Sequence, residues 1–351
     1  MSAITIGGDL IHYEVLGRGR PVILLHDWLG SWRYWTPTLQ SLGTKYRVYA
    51  LDFRGFGDSS KNAQKYTLDH QVQQVFDFMR ELGLPKAALI GHGLGALVAS
   101  EFARLYSDKV PRLLLVSAPL FDPGGLDKRV PAGRAVALTD NKPQAAANSA
   151  PRASAPESTI MNAGTAMRAA LQEAARARDA SVEIKPTDPT LLTKPASMTL
   201  LDVDERKDEA HNPLRDALGA GVETLLVKCF KRTEPEFEKL RADLAKADPA
   251  AIKQSVSDFD SGRMLDRVHL LPMPVAILHG ADDQIIEQPN ENVWNYLTKD
   301  REDSLLPVPL PGVRHFPMLE HEAFLRLTNE FLEIADVSKL EIKERWKRRT
   351  R

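Results

Sequence analysis

The run "LIGHGLGALVA" at residues 89–99 restricts the fold more than any other stretch of the chain. A short apolar segment leads into glycines at alternate positions, Gly91, Gly93 and Gly95, and a second apolar segment follows. This is the pattern of a strand that enters a sharp turn and leaves as a helix. The middle position of such a turn usually carries the group that attacks a substrate. Here that position is Gly93, which has no side chain to attack with.

Around this turn, short apolar runs alternate with longer stretches of helical spacing. That alternation predicts an α/β fold: a mostly parallel, doubly wound sheet covered by helices on both faces. "LIHYEVLGRGRPVILLHDW" reads as two strands joined around Gly17–Gly19. "YRVYALDF" (46–53), "KAALIG" (86–91), "RLLLVSA" (112–118), "PVAILHG" (274–280) and "SLLPVPL" (304–310) read as further strands. The spacing of Val72, Val75, Phe76 and Met79 predicts a helix over 69–82, and helices are also expected over 94–106 and 321–335.

The middle of the chain reads differently. No Phe, Trp or Tyr occurs between Asp122 and Cys229, and residues 131–160 are rich in Ala, Pro and Ser. Such a composition buries little surface to offset its conformational entropy, so 131–205 is expected to be flexible. Within it, 167–180 has the composition of a helix with a thin apolar stripe; beyond it, 234–247 and 248–259 read as helices. The expected organisation is a core in two parts, 1–121 and 269–351, interrupted by a helical insertion over 122–268 that serves as a lid.

The 46 Lys and Arg nearly balance the 47 Asp and Glu, so no global field favours nucleic acid or an anionic membrane. The basic tail "KERWKRRTR" (343–351) reads as a solvated helix end. No run approaches 18 uncharged apolar residues, so no membrane span is expected. The single cysteine, Cys229, forms no internal disulfide, and the first residues lack a signal-peptide pattern; both suit a cytoplasmic protein. Neither a metal nor a cofactor is expected, since no His/Cys spacing or glycine loop matches one.

Four motifs fall in order on these elements: "LLHDWLGSW" (24–32), "LDFRGFGDS" (51–59), "GHGLG" (91–95), and the pair "LHGADDQII" (278–286) with "GVRHFPMLEH" (312–321). Together they resemble the α/β-hydrolase superfamily, in particular its lidded esterases and lactonases, over about residues 1–121 and 269–351. The resemblance implies an α/β-hydrolase fold with Asp283 as the acid and His315 as the base. It places Gly93 at the nucleophile position, and the backbone N–H groups of Trp28 and Leu94 in the oxyanion hole.

The sequence departs from that pattern twice. Gly93 stands where the family has serine, and Asp27 stands where it has glycine. A carboxylate at 27 is expected to repel an oxyanion formed nearby. The leading expectation is a non-catalytic pseudohydrolase that binds a small apolar ligand, with a protein partner at the insertion as a further option. The alternative is an ester or lactone hydrolase, either one in which Asp283 and His315 activate water or a Ser-to-Gly variant of a serine enzyme. His92, His26, Arg54 and Asp58 are expected to brace their loops. Ser31, Ser100 and Ser117 lie outside the turn and are expected in ordinary structural roles. The cluster Trp28, Trp32, Tyr34 and Trp35 is expected to pack beneath the insertion.

Overall fold

A computed structural model describes residues 2–129, 212–320 and 322–340. Among the described residues, eight strands form one sheet: β1 (Ser2–Ile6), β2 (Asp9–Leu16), β3 (Pro21–Leu25), β4 (Arg47–Leu51), β5 (Ala88–His92), β6 (Leu113–Val116), β7 (Val275–Gly280) and β8 (Leu305–Leu310). Their spatial order is β1-β2-β4-β3-β5-β6-β7-β8. The pairs β1–β2 and β2–β4 are antiparallel, and every later pair is parallel. The central parallel strands are buried on both faces, which is why they read as unbroken apolar runs.

The expected strands and helices are present to within a few residues. Helix α1 (Thr36–Leu42) follows the Trp32–Trp35 turn, α2 spans Leu68–Glu81 and α3 spans Leu94–Leu105. Helix α2 buries Val72, Val75, Phe78 and Met79, whereas Phe76 is only partly buried. The short edge strand β1 is an addition to the expected set. Its five residues pair with β2 from Ser2↔Tyr13 to Ile6↔Asp9, a non-local contact that local periodicity does not report.

Between β6 and β7, the described part of the insertion forms α4 (Pro213–Leu218), α5 (Val222–Cys229), α6 (Pro235–Leu244), α7 (Pro249–Ser255) and α8 (Ser261–His269). These helices are short, and local chemistry sets where several of them start. The side chains of Asn212, Asp248 and Asp260 accept from the N–H groups of Arg215, Ala250 and Arg263, capping α4, α7 and α8. Proline occupies the first turn of α4, α6 and α7, where its missing donor is not needed. The expectations for 131–205 and for the tail at 343–351 fall outside the described residues. Helices α9 (Glu291–Thr298) and α10 (Glu322–Glu333) complete the second part of the core.

The glycines of the 89–99 run permit backbone-to-backbone packing. A Cβ on Gly91 would overlap the Gly95 carbonyl, and one on Gly95 would overlap the Leu25 carbonyl. Helix α3 is thereby seated against β3 and β5, with the Gly95 N–H donating to the His26 carbonyl at 2.9 Å.

Candidate functional site

The sheet order reverses at β3, with β4 on one side and β5 on the other. In open α/β sheets the crevice beyond the strand ends at such a point is where ligands bind. The loops after β3, β5, β7 and β8 bring Asp27, Gly93, Asp283 and His315 together there.

Gly93 caps α3 with φ 48° and ψ −104°. A side chain held in so sparsely populated a region costs on the order of 1–3 kcal/mol, which glycine largely avoids. The space a side chain would need is already taken. A Cβ built on Gly93 would lie 2.6 Å from Asp27 Cγ and overlap Asp27 Oδ1.

Asp27 is fully buried. Its Oδ1 accepts from the Leu94 N–H at 3.3 Å, and its Oδ2 accepts from the Leu29 N–H at 2.9 Å. Oδ2 also faces His315 Nε2 at 3.2 Å, while His315 Nδ1 meets Asp283 Oδ2 at 2.8 Å. The other Asp283 oxygen accepts from the Ile285 and Ile286 N–H groups at 2.9 and 3.0 Å. The His315 ring therefore lies between two carboxylates, each anchored by backbone donors.

The electrostatics follow from that geometry. Burial alone would depress the His315 pKa, but the charges of Asp283 and Asp27 outweigh it and push it up to about 10. Burial likewise opposes ionisation of Asp27, yet the facing His315 holds its carboxyl down at about 2. Asp283 shifts downward for the same reason. The resting site is an imidazolium between two carboxylates.

A second, neutral chain of hydrogen bonds fixes this arrangement from behind. The Asp27 N–H donates to Tyr34 Oη at 2.7 Å. Tyr34 Oη is 3.0 Å from His92 Nδ1, and His92 Nε2 is 2.8 Å from the His315 carbonyl oxygen. A carbonyl only accepts, so Nε2 carries the proton and Nδ1 accepts from the tyrosine hydroxyl. Burial holds His92 neutral, with its pKa lowered to about 3. It also heads the causes that raise Tyr34, ahead of the nearby Asp27 charge.

The remaining candidate residues fall into structural places. His26 Nε2 accepts from the Phe53 N–H at 3.0 Å, and its Nδ1 donates to the Asp27 carbonyl at 2.7 Å. Arg54 donates to Asp9 and to the Ile6 carbonyl, and Asp58 accepts from Arg33 and Lys246. Ser31 donates to Asp243, Ser100 to the Leu97 carbonyl and Ser117 to the His315 carbonyl. The Leu94 N–H, expected in an oxyanion hole, donates to Asp27 Oδ1. Trp28 enters with its indole instead, 3.2 Å from the position of a Gly93 Cβ, and the second N–H on the Asp27 carboxylate is that of Leu29. Among the described residues, His12, Asp52 and Asp58 bring ligand atoms within 4.8 Å of one another. Asp52 is engaged with the Trp32 and Asp58 N–H groups, and Asp58 with two cations.

The insertion helices are tied to this site. Trp28 Nε1 donates to Ser255 Oγ at 2.9 Å, Arg314 pairs with Glu234 at 3.0 Å, and Phe230 packs on Phe316 at 5.5 Å. Ser255 also lines a cavity of about 800 Å³ whose walls mix Leu68, Leu97, Phe259 and Met264 with charged side chains such as Glu101, Arg104 and Asp266.

The alpha/beta hydrolase fold pattern matches residues 20–322. The chain belongs to the α/β-hydrolase family. It is 36% identical over 111 residues to a soluble epoxide hydrolase of Corynebacterium sp. (strain C12), covering 32% of this chain and 39% of that one. It is 36% identical over 116 residues to epoxide hydrolase 4 of Mus musculus, 32% of each chain. These matches span well under half of either relative. Among solved structures, an esterase from Rhodococcus sp. ECU1013 superposes with TM-score 0.57 at 19% identity, over 97% of this chain and 98% of the other. Across this α/β-hydrolase no helix of the described residues is long and apolar enough to cross a membrane.

The sequence reading treated Gly93 and Asp27 as two separate departures and missed the part played by Tyr34. The two departures share one volume. The signal was their co-occurrence: a glycine at one loop and a carboxylate on the loop facing it.

Proposed function

We propose that this α/β-hydrolase is a pseudohydrolase toward esters and lactones: a binder of a small apolar ligand with no acyl-transfer activity of its own. The observation that carries this reading is the Asp27 carboxylate standing in the nucleophile's volume. From there it engages the Leu94 N–H that an oxyanion needs and the His315 nitrogen that a base needs. Acyl transfer requires a nucleophile, a neutral base and free donors. Each of the three is absent or engaged. In subtilisin, loss of the serine alone costs about 10⁶ in turnover.

The geometry also weighs against water activated directly by His315, because an imidazolium has no lone pair to accept a proton. The ligand reading draws on the cavity beside Ser255, where the apolar Leu68, Leu97, Phe259 and Met264 stand among charged side chains that include Glu101, Arg104 and Asp266. The epoxides and esters named for the relatives are the first compounds to try. The test combines turnover of p-nitrophenyl esters and lactones with thermal shifts by small apolar compounds. No turnover together with a saturable shift is expected. Ester turnover by the unmodified chain that His315→Ala abolishes would overturn the proposal.

A further inference from the structure

We infer that the cavity beside Ser255 takes an apolar molecule that ends in a carboxylate, with the carboxylate on the Arg267 guanidinium and the apolar body against Leu97, Phe259 and Met264. This rests on the reading that a small ligand enters that cavity, and deepens it by giving the ligand a negative head.

Arg267 is a buried cation short of acceptors. It lies on α8 with its side chain only 15% exposed, and a guanidinium carries five N–H donors. Its Nε stands 2.6 Å from Glu101 Oε2 but out of line for a hydrogen bond. Nη1 reaches the Met264 sulfur at 3.8 Å, a weak acceptor. Among the described residues, its other N–H groups have no acceptor. Glu101 cannot supply one, because Arg104 binds both of its oxygens, at 2.6 and 3.1 Å. Water can meet the spare donors, but only an anion also meets the charge.

The surrounding charges set the sign of the ligand. Burial, with the nearby Arg104 and Arg263 charges, pulls the Arg267 pKa below its usual value against the opposing effect of Glu101 and Asp69. Three guanidiniums therefore share this end of the cavity with two carboxylates. The other acids on the walls are engaged or solvated. Asp266 accepts from Arg129 and Tyr296, and Asp260 accepts from the Arg263 N–H. Asp69 and Asp258 are exposed, where salt and water screen them.

The shape of the two ends selects the ligand class. A guanidinium presents paired N–H groups that a planar carboxylate accepts through both oxygens. Beyond it, Leu97, Phe259 and Met264 supply apolar surface in a cavity of about 800 Å³, enough for a molecule with a ring or a short chain. Arg263 lies four residues before Arg267, on the same face of α8, and adds a second cation over the head group.

The experiment titrates the full chain by calorimetry with 4-phenylbutyrate, with its uncharged primary amide and with inorganic phosphate, at one pH and ionic strength. Saturable binding of 4-phenylbutyrate is expected, about tenfold or more tighter than that of the amide, since a hydrogen bond to a charged group is at stake. Phosphate should not saturate over the same range. Arg267→Gln should bring the acid down to the level of the amide. Arg263→Gln, at an exposed position, spares the buried pair with Glu101. It should weaken the acid by about two- to fivefold, as loss of an exposed charge does, and leave the amide unchanged.

An acid that binds no tighter than the amide overturns the inference and leaves the binding reading standing. So does a margin for the acid that survives Arg267→Gln or, where that variant does not fold, one that Arg263→Gln leaves unchanged. Phosphate binding as tight as that of 4-phenylbutyrate also overturns it, because the apolar walls would then contribute nothing. If the acid, the amide and a panel of small apolar compounds all fail to bind, the binding reading falls and the inference with it.

Discussion

Asp27 and Gly93 share one volume: the carboxylate of the first occupies the space in which a side chain on the second would begin. Introducing serine at 93 alone therefore forces a buried, backbone-anchored carboxylate to move. Gly93→Ser is expected to destabilise the protein by about 1–3 kcal/mol through overpacking, and to remain unlabelled by a fluorophosphonate. The double variant Gly93→Ser with Asp27→Gly empties that volume and frees the Leu94 N–H and His315. It is expected to label and to hydrolyse p-nitrophenyl acetate. Labelling by the single variant, or silence from the double, would show that the two positions do not exclude each other as described.

The charge state of His315 is a second expectation. Its folded pKa of about 10 lies above the ordinary 6.5, so its stabilising contribution is complete below pH 6.5 and is lost as pH rises through 10. Asp27 behaves oppositely: held at about 2 against an ordinary 3.8, its contribution is present above pH 3.8 and is lost as pH falls through 2. NMR of the imidazole should find it doubly protonated at pH 8. Asp27→Asn removes one of the flanking charges and should lower the His315 midpoint by at least one pH unit. A ring that titrates near 6.5 in the unmodified chain would contradict the ion triad.

Much of this was legible from the chain, and the boundary has a physical origin. The parallel strands and the turn at 91–95 announce themselves because each is a local pattern: apolar runs buried on both faces, and glycines where backbones touch. Asp283 and His315 follow from loop position, and the structure pairs them at 2.8 Å. The direction in which Asp27 points was not legible. It depends on a backbone donor from α3, another from its own loop and a histidine 288 positions away, none of them neighbours in a local window. Edge strand β1 was missed for the same reason, since only its pairing with β2 defines it.

The third expectation concerns Tyr34. Its hydroxyl accepts the Asp27 N–H and meets His92 Nδ1, and His92 in turn holds the His315 carbonyl. Tyr34→Phe removes one oxygen and leaves two buried polar groups without a partner. A buried unsatisfied group costs about 1–3 kcal/mol, so the urea midpoint should fall by the equivalent of about 2–6 kcal/mol. An unchanged midpoint would mean that the network does not hold the site together.

The last expectation separates the insertion's hold on Trp28 from simple packing. Trp28 is completely buried, and its indole N–H donates to Ser255 at the edge of the cavity beside α3. Ser255→Ala removes that acceptor while keeping nearly all the local volume. The unpaired indole N–H should cost about 1–3 kcal/mol. Trp28→Ala instead removes a large buried ring and should cost about 3–5 kcal/mol, the range for large-to-small substitutions in a packed core. In the double variant the hydrogen bond can be lost only once. The two effects should therefore fall short of additivity by roughly the Ser255→Ala penalty. Full additivity in urea unfolding would mean that the bond contributes nothing, and that α7 is held over the site by packing alone.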